Sequence, residues 1–265
     1  GQGVWNILST NKNVINQRAG CDIQIEKVLV KDKQKNRALS LPEGLLTEDP
    51  EEIFNNNDIK VVIELIGGEQ PALDYMLRAM KAKKHVITAN KMVLALHGRN
   101  LFETAFKEGV HFYYEASVGG GIPIIRELNE SLTANKIESL AGIIDGTSNY
   151  VLTRMSKEGT TFASALKEAQ EMGFAEADPT SDIEGYDAAY KLAIISTLSF
   201  GQFIDVNSIS REGITKIHPI DMEYAKKFGY VIKLLAIGKK RDGALELRVH
   251  PAMIPDTHPL ANVND

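Results

Sequence analysis

In the stretch AEADPTSDIEGYDAAYK, residues 175–191, the carboxylates of Glu176, Asp178, Asp182, Glu184 and Asp187 lead up to a lysine, Lys191. Asp187 and Lys191 are four apart and share one face of a helix. On most helices such a pair is a solvated salt bridge worth little. Here the lysine heads the apolar run LAIISTLSF, which draws it towards a core. A partly desolvated lysine with a carboxylate partner can deliver or accept a proton. The acids upstream suit an ammonium group. Ser181, followed three residues later by Glu184, has the spacing of a capping box, which predicts a helix starting there and running through residue 200.

A second lysine stands where a strand turns into a helix. In HVITANKMVLALHG, residues 85–98, the joint carries Thr88, Asn90 and Lys91. A cation at a helix N-terminus opposes the helix dipole, so either an anion binds there or the side chain swings into water. Gly67 and Gly68, after the strand-like KVVIELI, either admit a dinucleotide close to the main chain or simply turn it. The run VGGG, residues 118–121, follows Glu115 and offers N–H groups to an anion or carbonyls to a cation, and Glu115 favours the cation. A plain structural turn is the competing use of those glycines. Lys31 and Asp32, followed by Lys33, Lys35 and Arg37, end another strand-like run, where a basic side chain suits the 2′-phosphate of NADP and an acidic one the ribose of NAD. The cationic excess leans towards NADP, against the reading of a solvated basic loop.

The elements that must position these residues alternate in the first half. Residues 23–31, 60–68, 84–89 and 110–117 read as strands, and residues 50–56, 70–83 and 91–109 as crossover helices, with Gly109 as a C-cap. This is the pattern of an α/β fold, a Rossmann-like doubly wound parallel sheet, in which ligands sit beyond the carboxyl ends of the strands. By that rule residues 66–68, 88–91 and 115–121 converge on one crevice. The opening GQG places Gly1 as the last glycine of a nucleotide turn whose earlier part, with the first strand, would lie before it; flexible terminal glycines are the competing reading. After residue 117 the rhythm changes to an α+β pattern that ends in two strand-like runs, 230–240 and 244–254, joined by the turn signal RDG. Two domains are expected, a nucleotide-binding domain over 1–117 and a substrate-binding and dimerisation domain over 118–265.

Composition narrows the partners. Among 265 residues, 30 basic and 35 acidic side chains are scattered rather than blocked, for a formal charge of −5, which gives no footprint for nucleic acid or an anionic membrane. A small metabolite is the expected partner. One cysteine, Cys21, permits no internal disulfide and points to a reducing compartment. No apolar run is long enough to span a bilayer and no signal peptide pattern opens the chain, so the cytoplasm is expected.

Taken in order, VIELIGG, HVITANK, YYEASVGGGIPII, IIDGTSNYVLTRM, FAEADPTSDIEGYDAAYKLAI and VHPAMI resemble the homoserine dehydrogenases over nearly the whole chain. The resemblance implies reversible reduction of L-aspartate 4-semialdehyde to L-homoserine with NADPH or NADH, on the route to threonine, methionine and isoleucine. It implies that Lys191 gives the aldehyde oxygen its proton, with Asp187 orienting it, and that Glu176 and Asp182 hold the substrate ammonium. Lys91 is implied at the junction of cofactor and substrate, which makes a bound ligand its anionic partner. Gly1, Lys31, Gly67, Gly68, Thr88, Asn90 and Lys91 are then the cofactor-side residues. Glu115, Val118, Gly120 and Ile122 match positions where the family binds a sodium ion, mainly through main-chain oxygens. A homodimer or higher homo-oligomer is implied. The family's opening strand and turn, and the elements that return to its nucleotide domain, would lie outside this chain, which is expected to be a piece of a longer protein. A sugar-type Rossmann oxidoreductase also carries a lysine after such a strand, but within EKP where this chain has ANK. A non-catalytic nucleotide sensor would have no use for an acidic pocket beside Lys191.

Overall fold

The computed structural model describes residues 1–38 and 41–264; Asp265, the last residue of the second expected domain, lies outside them. Contacts divide the chain into two units, Gly1–Thr88 with Leu101–Tyr113, and Ala89–Asn100 with Tyr114–Asp265.

In the first unit, helices α1 (Gln2–Thr10) and α2 (Lys12–Ala19) precede a short parallel pair, β1 (Val28–Leu29) beside β2 (Leu46–Thr47). After α3 (Glu51–Phe54), β3 (Val61–Glu64), β4 (His85–Thr88) and β5 (Phe112–Tyr113) form a parallel sheet in that order. α4 (Ala72–Lys81) lies between β3 and β4 in sequence and buries Ala72, Leu73, Met76, Ala79 and Met80, the three- and four-residue spacing of a helix with one apolar face. α5 (Lys91–Glu108) follows β4, and it stops where Gly109 takes φ +67°. The parallel strands separated by helices make this a mixed α/β fold. The strand expected over 23–31 shrinks to two residues. Its first part is claimed by α2, because Asn16 accepts from the Ile23 N–H and Lys12 pairs with Asp22.

The second unit opens with the first part of α5 and continues through a 3₁₀ turn, Glu115–Ser117, and the one-turn α6 (Ile124–Arg126). A four-stranded sheet then runs in the order β6 (Ser139–Gly142), β8 (Tyr230–Arg241), β9 (Ala244–Pro255), β7 (Ser210–Arg211). β8 and β9 are the expected hairpin, paired from Tyr230–Pro255 to Arg241–Ala244. Its two-residue turn puts both Asp242 and Gly243 at positive φ, which matches the twist of the strands. α7 (Gly146–Glu158), α10 (Tyr186–Phe200) and α11 (Pro219–Lys227) pack on β8, and α8 (Phe162–Glu171) packs on α7. Val151, Leu152, Met155, Leu192 and Met222 of these helices are buried, as are Leu234 and Val249 of the hairpin, while Leu235 packs with Ile237, Ile254 and Ala261 in a hydrophobic cluster.

The helix expected from Ser181 is in fact two. α9 (Thr180–Ile183) ends at Glu184, and α10 begins after Gly185. Gly185 sits at φ +77°, left-handed backbone that breaks the helix where the capping box would have started it. Glu184 does not cap: its carboxylate accepts from the Thr215 hydroxyl at 3.0 Å, and its carbonyl accepts from Arg211. The segment that follows approaches closely, and a Cβ on Gly213 would collide with the main chain of Ile183 and Glu184.

Candidate active site

α10 carries the central pair. Asp187 lies in its first turn, where a negative charge suits the helix dipole, and Lys191 follows one turn later on the same face. Asp187 is buried, at 4 % exposure. The Lys191 side chain is 17 % exposed, and its Nζ lies 2.5 Å from Asp187 Oδ2. Apart from that ion pair Oδ2 is unpartnered. The same Nζ donates to the carbonyl of Ile144 at 2.7 Å, so the ammonium is fixed from two directions. Lys91 reaches Asp187 Oδ1 at 2.9 Å, with its side chain 40 % exposed. A lysine at the start of α5 calls for an anion, and Asp187 supplies one from inside the protein.

Charge around Asp187 is tightly shared. Burial alone would raise its pKa, but the charge of Lys191 and the bond from Lys91 outweigh that and hold it below the ordinary value. Burial lowers the pKa of Lys91, and the bond to Asp187 with the charges of Asp187, Asp182 and Asp145 more than reverses it. Asp145 is itself buried, and caps α7 by accepting from the Ser148 N–H at 2.6 Å. The hydroxyl of Ser148 donates to the carbonyl of Asp182 at 3.0 Å, tying the start of α7 to α9. Carboxylate oxygens of Asp145, Asp182 and Asp187 lie within 4.8 Å of one another. Burial first, and the charge of Asp182 second, push Asp145 up to about 7 against its bond from Ser148.

The structure therefore brings Lys91, Asp182, Asp187 and Lys191 together. Glu176 is exposed and is not one of the three clustered carboxylates; its main-chain carbonyl accepts from Gln170. The arrangement holds a mostly buried ammonium ready to exchange a proton with an oxygen, beside carboxylates that attract a second cation.

The remaining predicted residues lie at strand ends and helix starts. Gly67 and Gly68 follow β3 at φ +76° and +68°, with open space where a Cβ would stand. The Gly67 N–H, like that of Ile66, donates to the Glu64 carboxylate, whose other oxygen accepts from Thr88 Oγ1 at 2.5 Å. Asn90 starts α5: its side chain accepts from the Val93 N–H and its carbonyl from Leu94. Gly1 is the N-cap of α1, its carbonyl accepting from Trp5. Lys31 is exposed. In the loop after it, Arg37 turns back onto the carbonyls of Asp32, Lys33 and Lys35, and the Asp32 carboxylate accepts from the Gln34 N–H.

At the candidate sodium position, Glu115 accepts from the N–H groups of Ile125 and Arg126, and the Ile122 carbonyl accepts from Ile124. Val118 is buried, while Gly120 and Ile122 are not. Sequence reasoning missed Glu64 and Asp145. Both left a signal: Glu64 is a charge inside an apolar strand, and Asp145 is an acid directly before a helix.

An open parallel sheet with glycines after its strands, next in the chain to a unit carrying a lysine–carboxylate cluster, defines the class of nucleotide-dependent dehydrogenases. Residues 1–115 match the NAD-binding domain of homoserine dehydrogenase, and residues 123–265 match the homoserine dehydrogenase domain itself. The chain belongs to the homoserine dehydrogenase family. It is 42 % identical to the homoserine dehydrogenase of Bacillus subtilis, over 100 % of this chain and 61 % of that protein. Among solved structures, a homoserine dehydrogenase from Thiobacillus denitrificans superposes with a TM-score of 0.95 at 45 % identity, covering 100 % of this chain and 61 % of that one. A hyperthermophilic archaeal homoserine dehydrogenase mutant in complex with NADPH matches with a TM-score of 0.68 at 26 % identity, covering 82 % and 62 %. The chain spans about three-fifths of the length of the Bacillus subtilis and Thiobacillus denitrificans proteins. Among the described residues, no helix is long and apolar enough to cross a membrane.

Proposed function

We propose that this chain is part of a cytoplasmic homoserine dehydrogenase that interconverts L-homoserine and L-aspartate 4-semialdehyde with NADP(H) or NAD(H), on the route to threonine, methionine and isoleucine. The observation that carries the reading is the Lys191 ammonium, shielded from solvent and fixed between Asp187 and the Ile144 carbonyl. In the direction of reduction Lys191 donates a proton to the aldehyde oxygen; in oxidation its neutral amine takes the proton from the hydroxyl. Asp187 holds the amine in place. Asp182 and Glu176 hold the substrate ammonium, and Lys91 faces the substrate from the start of α5.

The glycines after β3 suit a dinucleotide, because their main chain is open on the side where a Cβ would stand. Gly1, Lys31, Gly67, Gly68, Thr88, Asn90 and Lys91 are the residues of this chain that would hold it. When bound, the nicotinamide supplies or takes the hydride. Exposed lysines at 31, 33 and 35 favour NADP, and a hyperthermophilic archaeal relative is solved with NADPH bound. A sodium ion would draw on Glu115 and the carbonyls of Val118, Gly120 and Ile122, since an oxygen that accepts one hydrogen bond keeps a second lone pair. Assembly as a homodimer or higher homo-oligomer completes the reading.

The test is homoserine-dependent reduction of NADP and NAD at alkaline pH. Turnover of homoserine, faster with NADP, supports the proposal. Turnover of a sugar in its place, or nucleotide binding without turnover of either, overturns it.

A further inference from the structure

Three carboxylates face two ammonium groups in the cluster on the second unit. Asp145 comes from the start of α7, Asp182 from α9 and Asp187 from α10, while Lys91 comes from α5 and Lys191 from α10. With every group ionised, the cluster carries one negative charge too many. Asp187 cannot relieve it, because both lysines converge on its two oxygens. Asp145 is placed otherwise. One of its oxygens is held by the Ser148 N–H, and neither lysine reaches it as an ion pair; the nearest lysine bond goes to the carbonyl of Ile144, the residue before it. It is buried with two other carboxylates close by, so its charge is the one that the cluster bears least easily.

Resting on the homoserine reading above, we propose that Asp145 is a positioning residue of this site: it is neutral before substrate arrives, and its ionisation supplies the unbalanced negative charge that the substrate ammonium meets. The proton leaves Asp145 for solvent as the ammonium enters, and the cluster ends neutral overall. The shift of Asp145 to about 7 agrees with this geometry, since a group poised there changes state at little cost near neutrality. Asp145 acts through Asp182 and Asp187, whose charges it shares, and through the main chain that fixes Lys191.

The variant that tests this is Asp145→Asn, because asparagine caps a helix about as well as aspartate and leaves the start of α7 intact. In the unsubstituted protein kcat/KM for homoserine rises with pH through a limb near 7, where Asp145 loses its proton. In Asp145→Asn that limb disappears and KM rises roughly tenfold, more than any fall in kcat. A limb of the same midpoint in the variant overturns the inference. The free protein is read separately, by carbon-13 NMR of labelled aspartate carboxyls. One carboxyl titrating near 7, absent from Asp145→Asn, supports the inference, and no carboxyl titrating above about 5 overturns it. If homoserine is not turned over at any pH, the functional reading fails instead, and the carboxyl titration alone still decides the charge state of Asp145.

Discussion

Replacing Asp187 with asparagine keeps the shape of the side chain and removes the charge that two lysines share. Lys191, at 17 % exposure, is left with only the Ile144 carbonyl, whereas Lys91, at 40 %, can turn into water. Breaking one partner of a buried ion pair costs about 3–5 kcal/mol, and an exposed pair costs under about 1 kcal/mol. Lys191 is not fully sealed, and losing the Asp187 charge relieves Asp145, so the low end applies. The expected loss is about 3 kcal/mol. In a chain of this size that lowers the melting temperature by about 6–12 °C. Denaturant unfolding should show a lower midpoint with an unchanged slope. Lys191→Met, which leaves Asp187 paired with Lys91, should cost roughly half as much. A loss below about 1 kcal/mol in Asp187→Asn, or an equal loss in the two variants, would refute the claim that Asp187 is the charge both lysines depend on.

Two further substitutions probe the supports of the site. Glu64→Ala removes the acceptor for the N–H groups of Ile66 and Gly67 and for Thr88, and is expected to cost about 2 kcal/mol and to speed amide exchange at residues 66 and 67. Unchanged exchange there would mean that Glu64 does not hold the turn. Gly213→Ala drives a methyl group into the main chain at Ile183 and Glu184, so the joint between α9 and α10 must shift. A loss of at least about 1 kcal/mol is expected by differential scanning calorimetry, and wild-type stability would show that the contact yields freely.

Local chemistry was legible where the chain itself carries the instruction. RDG specified the β8–β9 hairpin because a two-residue turn at positive φ accepts Asp and Gly, and Gly109 ended α5 for the same reason. The α4 spacing fixed its buried face. Other features depend on partners far away in sequence. Nothing near Lys91 reveals that its anion is Asp187, and nothing in residues 23–27 reveals that Asn16 binds the backbone at Ile23. The capping-box reading at Ser181 failed because Gly185 takes left-handed backbone, a conformation that glycine permits without announcing. The pairing of Asp187 with Lys191 was readable from a spacing of four residues. The arrival of Asp145 was not, because only the packed fold brings the start of α7 to the cluster.

In the proposed function the Lys191 amine exchanges the proton of the reaction. Its most direct test compares Lys191→Ala with the unsubstituted protein for both homoserine turnover and NADP affinity. A fall in kcat of about 10²–10⁴-fold, the share carried by a positioned acid–base group, is expected with nucleotide affinity nearly unchanged. Retained turnover, or an equal loss of turnover and nucleotide binding, would contradict it.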